Sequence, residues 1–115
     1  MEKRRRGVTV ETTRITQIDG SADVVLADGR RMRLAGLFTA PRNEPSTPVA
    51  AQFGCQLVQT PMGVQISTSK AKETTVPGVF ACGDAAKMPH SILLAVGDGA
   101  WAGAQLHRSL VWPEQ

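Results

Sequence analysis

Thr75-Val76-Pro77-Gly78-Val79-Phe80-Ala81-Cys82-Gly83-Asp84-Ala85 decides how the chain is read, together with Ser91 to Leu110 a short loop later. Val76 to Ala81 reads as a short buried strand that the Gly83-Asp84 pair breaks. At such a strand end a Gly lets a ligand touch the backbone, and an Asp carboxylate accepts hydrogen bonds from a polyol chain. Beyond Pro89, the positions Ile92, Ala95, Val96, Gly99, Gly103, Leu106 and Leu110 follow the three-and-four spacing of an amphipathic helix. The start of that helix offers free N–H groups and a positive dipole end, which favour negative charge. Gly97, Gly99 and Gly103 each cost the helix roughly 1 kcal/mol relative to Ala. A close neighbour against that helix is therefore expected.

Upstream the pattern changes to a period of two. Val8 and Val10 lie on one face of a first strand, Ile15 and Ile18 frame a second, and Asp19-Gly20 and Asp28-Gly29 are turn dipeptides. A small antiparallel meander over residues 7–33 follows. Leu34 to Ala40 is an apolar run suited to one buried strand, and Pro41 ends it. In the loop that comes next, Ser46 or Thr47 can cap a short helix that has Pro48 in its first turn, runs to about Phe53 and stops at Gly54. Leu57 to Gln59 and Val64 to Ser67 read as a hairpin around Pro61-Met62-Gly63, and Thr68 to Thr75 as a surface loop.

With 115 residues the chain has room for one core, and not for a dinucleotide domain beside a substrate domain. The net charge of +3 is carried entirely by Glu2, Lys3, Arg4, Arg5 and Arg6. A basic terminal run on a neutral body reads as a solvated tail, residues 1–6, and Met1 ahead of it reads as a natural start. Aromatic residues make up only 4% of the chain, which offers no stacking platform for nucleic acid. Cys55 and Cys82 have neither CxxC spacing nor the company a zinc site or a disulfide framework needs. No metal site is expected, no apolar run reaches membrane-spanning length, and a cytoplasmic, reduced setting fits.

TVPGVFACGDA followed by AVGDGAWAGAQLHRSL resembles the C-terminal FAD-binding segment of thioredoxin reductases and their relatives, the pyridine nucleotide-disulfide oxidoreductases. The resemblance extends upstream. In that family a small β-meander with a DG turn, an apolar returning strand, a Pro-containing loop, a short helix ending in Gly and a strand pair precede the TxxPGVFAxGD motif, and VVLADGRRMRLAGLFTAPRNEP holds the connecting position here. The implied fold lies between α+β and α/β: a small antiparallel β-meander, then the C-terminal part of an FAD-binding Rossmann-like domain ending in a long helix. On that reading residues 7–115 form a single truncated domain, with the meander at 7–33, strands and a short helix at 34–90, and the last helix at 91–110.

The resemblance also implies a cofactor site. The Asp of the GD pair holds the ribityl chain and neighbouring backbone meets the pyrophosphate, which maps to Asp84, Gly83 and Ala85. The helix start lies against the pyrimidine edge of the flavin ring, which maps to His90, Ser91 and Ile92. A reduced flavin carries negative charge at that edge, so a helix start aimed there would stabilise it. Cys82 stands where the family holds small residues and reads as a packing residue, and Cys55 as a surface or packing residue. His107 suits the dipole at the helix end, Trp101 a core or interface position, and Trp112 a partner contact.

Departures from the family limit what carries over. Neither GxGxxG nor GxGxxA occurs, and there is no CxxC. NADPH reduction and dithiol exchange are accordingly not expected of this chain, and no catalytic residue is assigned. The reading is an FAD-binding truncated flavoprotein, an oxidoreductase of open substrate, whose pocket a homodimer partner completes. FMN in place of FAD is the lesser alternative, because the adenosine site is missing. The rival reading is a non-catalytic interaction module, or a subunit that completes the flavin site of a separate Rossmann-containing chain.

Overall fold

The computed structural model describes residues 6–113, so of the basic tail only Arg6 is included. The chain divides between Thr39 and Ala40 into two compact units.

In the first unit β1 (Ile15–Asp19), β2 (Asp23–Leu26) and β3 (Arg31–Met32) form an antiparallel meander in that order. Ala22, Val24 and Leu26 are buried, so the period of two sends one face of the central strand inward. Burying the Val and Leu side chains stabilises the unit by about 1.5–3 kcal/mol each. The turns fall at the two Asp-Gly dipeptides, with Gly20 at φ 55° and Gly29 at φ 87°. Asp28 Oδ1 accepts the Arg30 N–H at 3.0 Å, which closes the second turn.

The strand expected around Val8 and Val10 is not formed; pairing begins at Ile15. A local bond competes with the ladder there, because Thr13 N–H donates to Glu11 Oε1 at 2.8 Å and Arg30 ties down the same carboxylate at 2.9 Å. Leu34 to Ala40 also differs from expectation, for it contains no strand and Phe38 is fully exposed. Among the described residues this run has no ladder partner, and a single strand cannot satisfy its own backbone.

The second unit contains α1 (Val49–Gln52), the hairpin β4 (Leu57–Thr60) and β5 (Gly63–Ile66), a 3₁₀ turn (Gly83–Ala85) and α2 (Ile92–Val111). Pro48 occupies the N-cap position of α1, and neither Ser46 nor Thr47 supplies a capping bond. Gly54 ends the helix at φ 80°, donating to Ala51 O while Cys55 N–H donates to Ala50 O. Gly63 is required where it stands: at φ 118° it approaches Asn43 so closely that a Cβ would lie 2.0 Å from the Asn43 carbonyl oxygen. Asn43 N–H donates to Met62 O at 2.7 Å and Val64 N–H to Asn43 O at 2.8 Å, locking the preceding loop onto the hairpin.

Val76 to Ala81 is a fold-back with a single bridge, Glu73 to Phe80, in place of the expected strand. Pro77-Gly78 is the reason. With Gly78 at φ 78° and Val79 N–H donating to Val76 O at 3.1 Å, the dipeptide makes a type II turn inside the run. The segment is then held by Thr74 N–H to Val79 O at 2.7 Å and Ala81 N–H to Lys72 O at 3.0 Å. The long helix forms where its spacing indicates, from an N-cap at Ser91. Its inward face differs from the apolar stripe, however, for the buried residues are Asp98 and Ala102. Ile92, Val96 and Leu110 are 84%, 67% and 74% exposed.

Candidate functional site

Cys82 is extended, at φ −149° and ψ 177°, and the chain then reverses through Gly83 at φ 69° into the short 3₁₀ turn. Left-handed backbone at that position suits Gly alone at no steric cost. Asp84 follows at the tip. It is exposed, and its carboxylate has no hydrogen-bond or ionic partner among the described residues. Ala85 is exposed beside it, and Ala86 behind it is buried, with its N–H donated to Gly83 O at 3.0 Å.

This turn rests on α2 through small side chains. A Cβ on Gly83 would lie 3.7 Å from Ala95 Cβ, and one on Gly99 would lie 4.0 Å from Cys82 Sγ. The polar half of the contact is Asp98. Its Oδ2 accepts the Gly83 N–H at 2.9 Å, and its Oδ1 faces Lys72 Nζ at 2.7 Å and Lys87 Nζ at 3.5 Å. Burial works to raise the Asp98 carboxyl, but the Lys72 and Gly83 hydrogen bonds and the two ammonium charges outweigh it and hold the group below the ordinary aspartate value.

The remaining sequence-predicted residues sit at the head of α2. Ser91 is its N-cap residue, and its hydroxyl makes no capping bond. Ile92 is exposed, as is Leu93 next to it. His90 is half-buried, with Nδ1 2.7 Å from Asn43 Nδ2. An amide nitrogen donates, so this pairing makes Nδ1 the acceptor and leaves the proton on Nε2. Asp98 lies seven residues into the helix from Ser91, or about 10 Å along the axis at 1.5 Å per residue. The turn and the helix head are thus two ends of one ledge, the first fixed by Asp98 and the second by Asn43.

Sequence reasoning missed Asn43, Lys72 and Asp98. Asp98 did carry a signal, being a charged residue between Ala95 and Ala102 on the small-residue face. Lys72 in its polar loop and Asn43 between prolines carry none, because their roles depend on partners far along the chain. Cys82 is exposed and Cys55 buried, which reverses the expectation that Cys82 is the packed thiol. Among the described residues no group of His, Cys, Asp and Glu could hold a metal ion. None of their helices is long and apolar enough to cross a membrane.

Residues 1–99 match the family described as pyridine nucleotide-disulphide oxidoreductase, and the chain belongs to that family. It is similar to an oxidoreductase of Agrobacterium tumefaciens, with 53% identity and a TM-score of 0.80 over 98% of this chain and 38% of that one. A putative thioredoxin reductase TrxB of Bacillus anthracis shares the fold at 19% identity, with a TM-score of 0.68 over 99% of this chain and 39% of the other. Thioredoxin reductase sirT of Leptosphaeria maculans is 36% identical over 85 residues, which is 74% of this chain and 25% of that protein. The chain therefore spans a quarter of that curated relative and under two-fifths of either solved structure.

Proposed function

We propose that the chain is the FAD-binding part of a thioredoxin-reductase-like flavoprotein, with the cofactor held by Gly83, Asp84, Ala85 and the head of α2 at His90, Ser91 and Ile92. The observation that carries this reading is Asp84, a carboxylate exposed and unpartnered at the tip of a left-handed turn fixed to the helix. Such a group is free to accept hydrogen bonds from polyol hydroxyls. The helix head supports the same reading, since its first N–H groups have no side-chain cap and favour negative charge. Asn43 holds the His90 ring so that its Nε2–H is available as a donor. FAD would supply electron transfer with small donors or acceptors there. Within this chain no CxxC pair is present to pass electrons onward.

The pocket is completed, on this reading, by a second copy of the chain in a cytoplasmic homodimer. Ile92, Leu93, Val96 and Leu110 support it, being exposed apolar side chains on one helix. A second reading draws on the span of the match: the remaining three-fifths of a solved relative would come from a separate chain. The protein would then be a subunit that completes another chain's flavin site. Both are tested by incubating the purified protein with FAD, desalting it and recording its absorption. A self-associated yellow protein supports the first reading, and colour only with a Rossmann-containing partner supports the second. A preparation colourless in both conditions removes both. Mass analysis of the released cofactor separates FAD from FMN.

A further inference from the structure

Lys72, Ala81, Gly83 and Asp98 close a ring of contacts around the ligand turn. Lys72 is the one non-glycine residue with positive φ among those described, at 68°, a region L side chains seldom adopt. In that conformation its carbonyl accepts the Ala81 N–H at 3.0 Å while its ammonium lies 2.7 Å from Asp98 Oδ1. Asp98 in turn accepts the Gly83 N–H at 2.9 Å. The segment Ala81-Cys82-Gly83 is therefore gripped at both ends by one ion pair. Both partners are sheltered, with side-chain exposures of 13% for Lys72 and 2% for Asp98. Neither touches the exposed tip of the turn through a side-chain hydrogen bond or ion pair, because Asp84 makes none among the described residues.

We propose that the Lys72–Asp98 pair is a positioning clamp that sets the pose of Gly83 and Asp84 and so fixes how tightly the turn holds its polyol ligand. This rests on the flavin reading above. A buried carboxylate between a backbone amide and an ammonium has one low-energy arrangement, so the amide it holds cannot rotate independently. Gly83 is the residue most in need of such restraint, since glycine has the widest conformational choice. The left-handed backbone at Lys72 is the local expense of reaching Asp98 and Ala81 at once.

Two readouts on the full chain test the clamp: amide hydrogen exchange without cofactor, and FAD affinity by fluorescence titration. In Asp98→Asn and in Lys72→Met the Gly83 amide exchanges about tenfold faster, and FAD binds about tenfold more weakly, as expected for loss of one charge-assisted hydrogen bond. The Val64 amide, which donates to Asn43 O in the hairpin, keeps its rate. Lys72→Arg, which retains the charge, restores both readouts. Equal acceleration at Gly83 and Val64 would make Asp98 a general fold residue and overturn the proposal. Faster Gly83 exchange with unchanged FAD affinity would overturn the positioning role. Should Asp98→Asn fail to fold, the Lys72→Met and Lys72→Arg pair makes the same comparison. A wild-type chain that takes up no FAD, while Gly83 exchange still responds to Lys72→Met, overturns the flavin reading and with it the ligand half of the proposal, leaving the clamp geometry intact.

Discussion

At Gly63 a single hydrogen atom decides whether the loop before α1 can close on the hairpin. A Cβ there would lie 2.0 Å from the Asn43 carbonyl oxygen, and the positive φ of 118° adds strain for any L side chain. Gly63→Ala is expected to destabilise the chain by more than about 1 kcal/mol. Urea unfolding measures this, and a wild-type midpoint would contradict it. Asn43 links that loop to His90, so Asn43→Ala should release the ring. Nitrogen NMR of the imidazole would then show a mixture of tautomers in place of the single Nε2–H form.

Two carboxylates give residue-scale pH behaviour with the same sign. Two hydrogen bonds from Thr13, through its backbone and its side chain, and then Arg30 hold Glu11 down from 4.5 to about 2. A group whose folded value is depressed adds stability above its unfolded value and loses it as pH falls through the folded one. The stability that the Glu11–Arg30 contact contributes is thus full above pH 4.5 and is lost as pH falls towards about 2. Glu11→Gln should flatten chemical-shift titration of the Arg30 side chain across that window, and an unchanged titration would contradict the assignment. Asp98 follows the same rule below the ordinary aspartate value of 3.8, facing Lys72 and Lys87, so its clamp persists through mild acid.

Among the elements, α2 shows what local sequence reveals and what it withholds. Its extent was legible from the spacing of its apolar residues. Its inward face was not, because that face is chosen by what lies opposite. Here the neighbour is the Gly83 turn, and Ala95 and Asp98 meet it in place of the larger apolar side chains. The strand expected at Val76 to Ala81 was misread for a related reason. Six apolar or small residues satisfy the strand pattern, while Pro77-Gly78 within them forces a turn that the pattern does not weigh. The two turns of the meander were legible, since Asp-Gly dipeptides specify geometry that needs no distant partner, whereas the strand expected at Val8 and Val10 did not form.

The helix glycines give an element-scale prediction. Among the described residues, the helix's own backbone and the chain neighbours apart, nothing lies within 4 Å of a Cβ built on Gly97 or Gly103. Ala at either position should therefore stabilise the isolated chain by about 1 kcal/mol through helix propensity alone. If a second copy packs on that helix, the same substitutions should weaken self-association while raising thermal stability. Sedimentation and thermal unfolding on the same samples separate the two effects. A fall in thermal stability of the monomer would contradict the open placement of these positions.

Over the whole molecule, the balance of buried and exposed surface is the main observation. Among the described residues the buried apolar ones are small or medium in size, Ala22, Val24, Leu26, Cys55, Ala86 and Ala102, whereas Phe38, Ile92, Leu93 and Leu110 lie largely exposed. Soluble monomers seldom leave so much large apolar surface in water. The chain spans 38% of its solved Agrobacterium tumefaciens relative, and on the proposed reading this surface is what the cofactor and a second chain cover. The family and the break of the chain at Gly83-Asp84 were legible in the sequence because that motif is local. The bracing of that turn was not, because Lys72 and Asp98 are joined only by the fold.

Asp84, on its braced turn, is proposed to hold FAD. The absorption spectra of wild-type protein and of Asp84→Ala after incubation with FAD and desalting test this. A retained flavin band is expected in the wild type and its loss in the variant, with both chains folded by circular dichroism. A colourless wild type, with or without a Rossmann-containing partner, or equal retention by both chains, would contradict it.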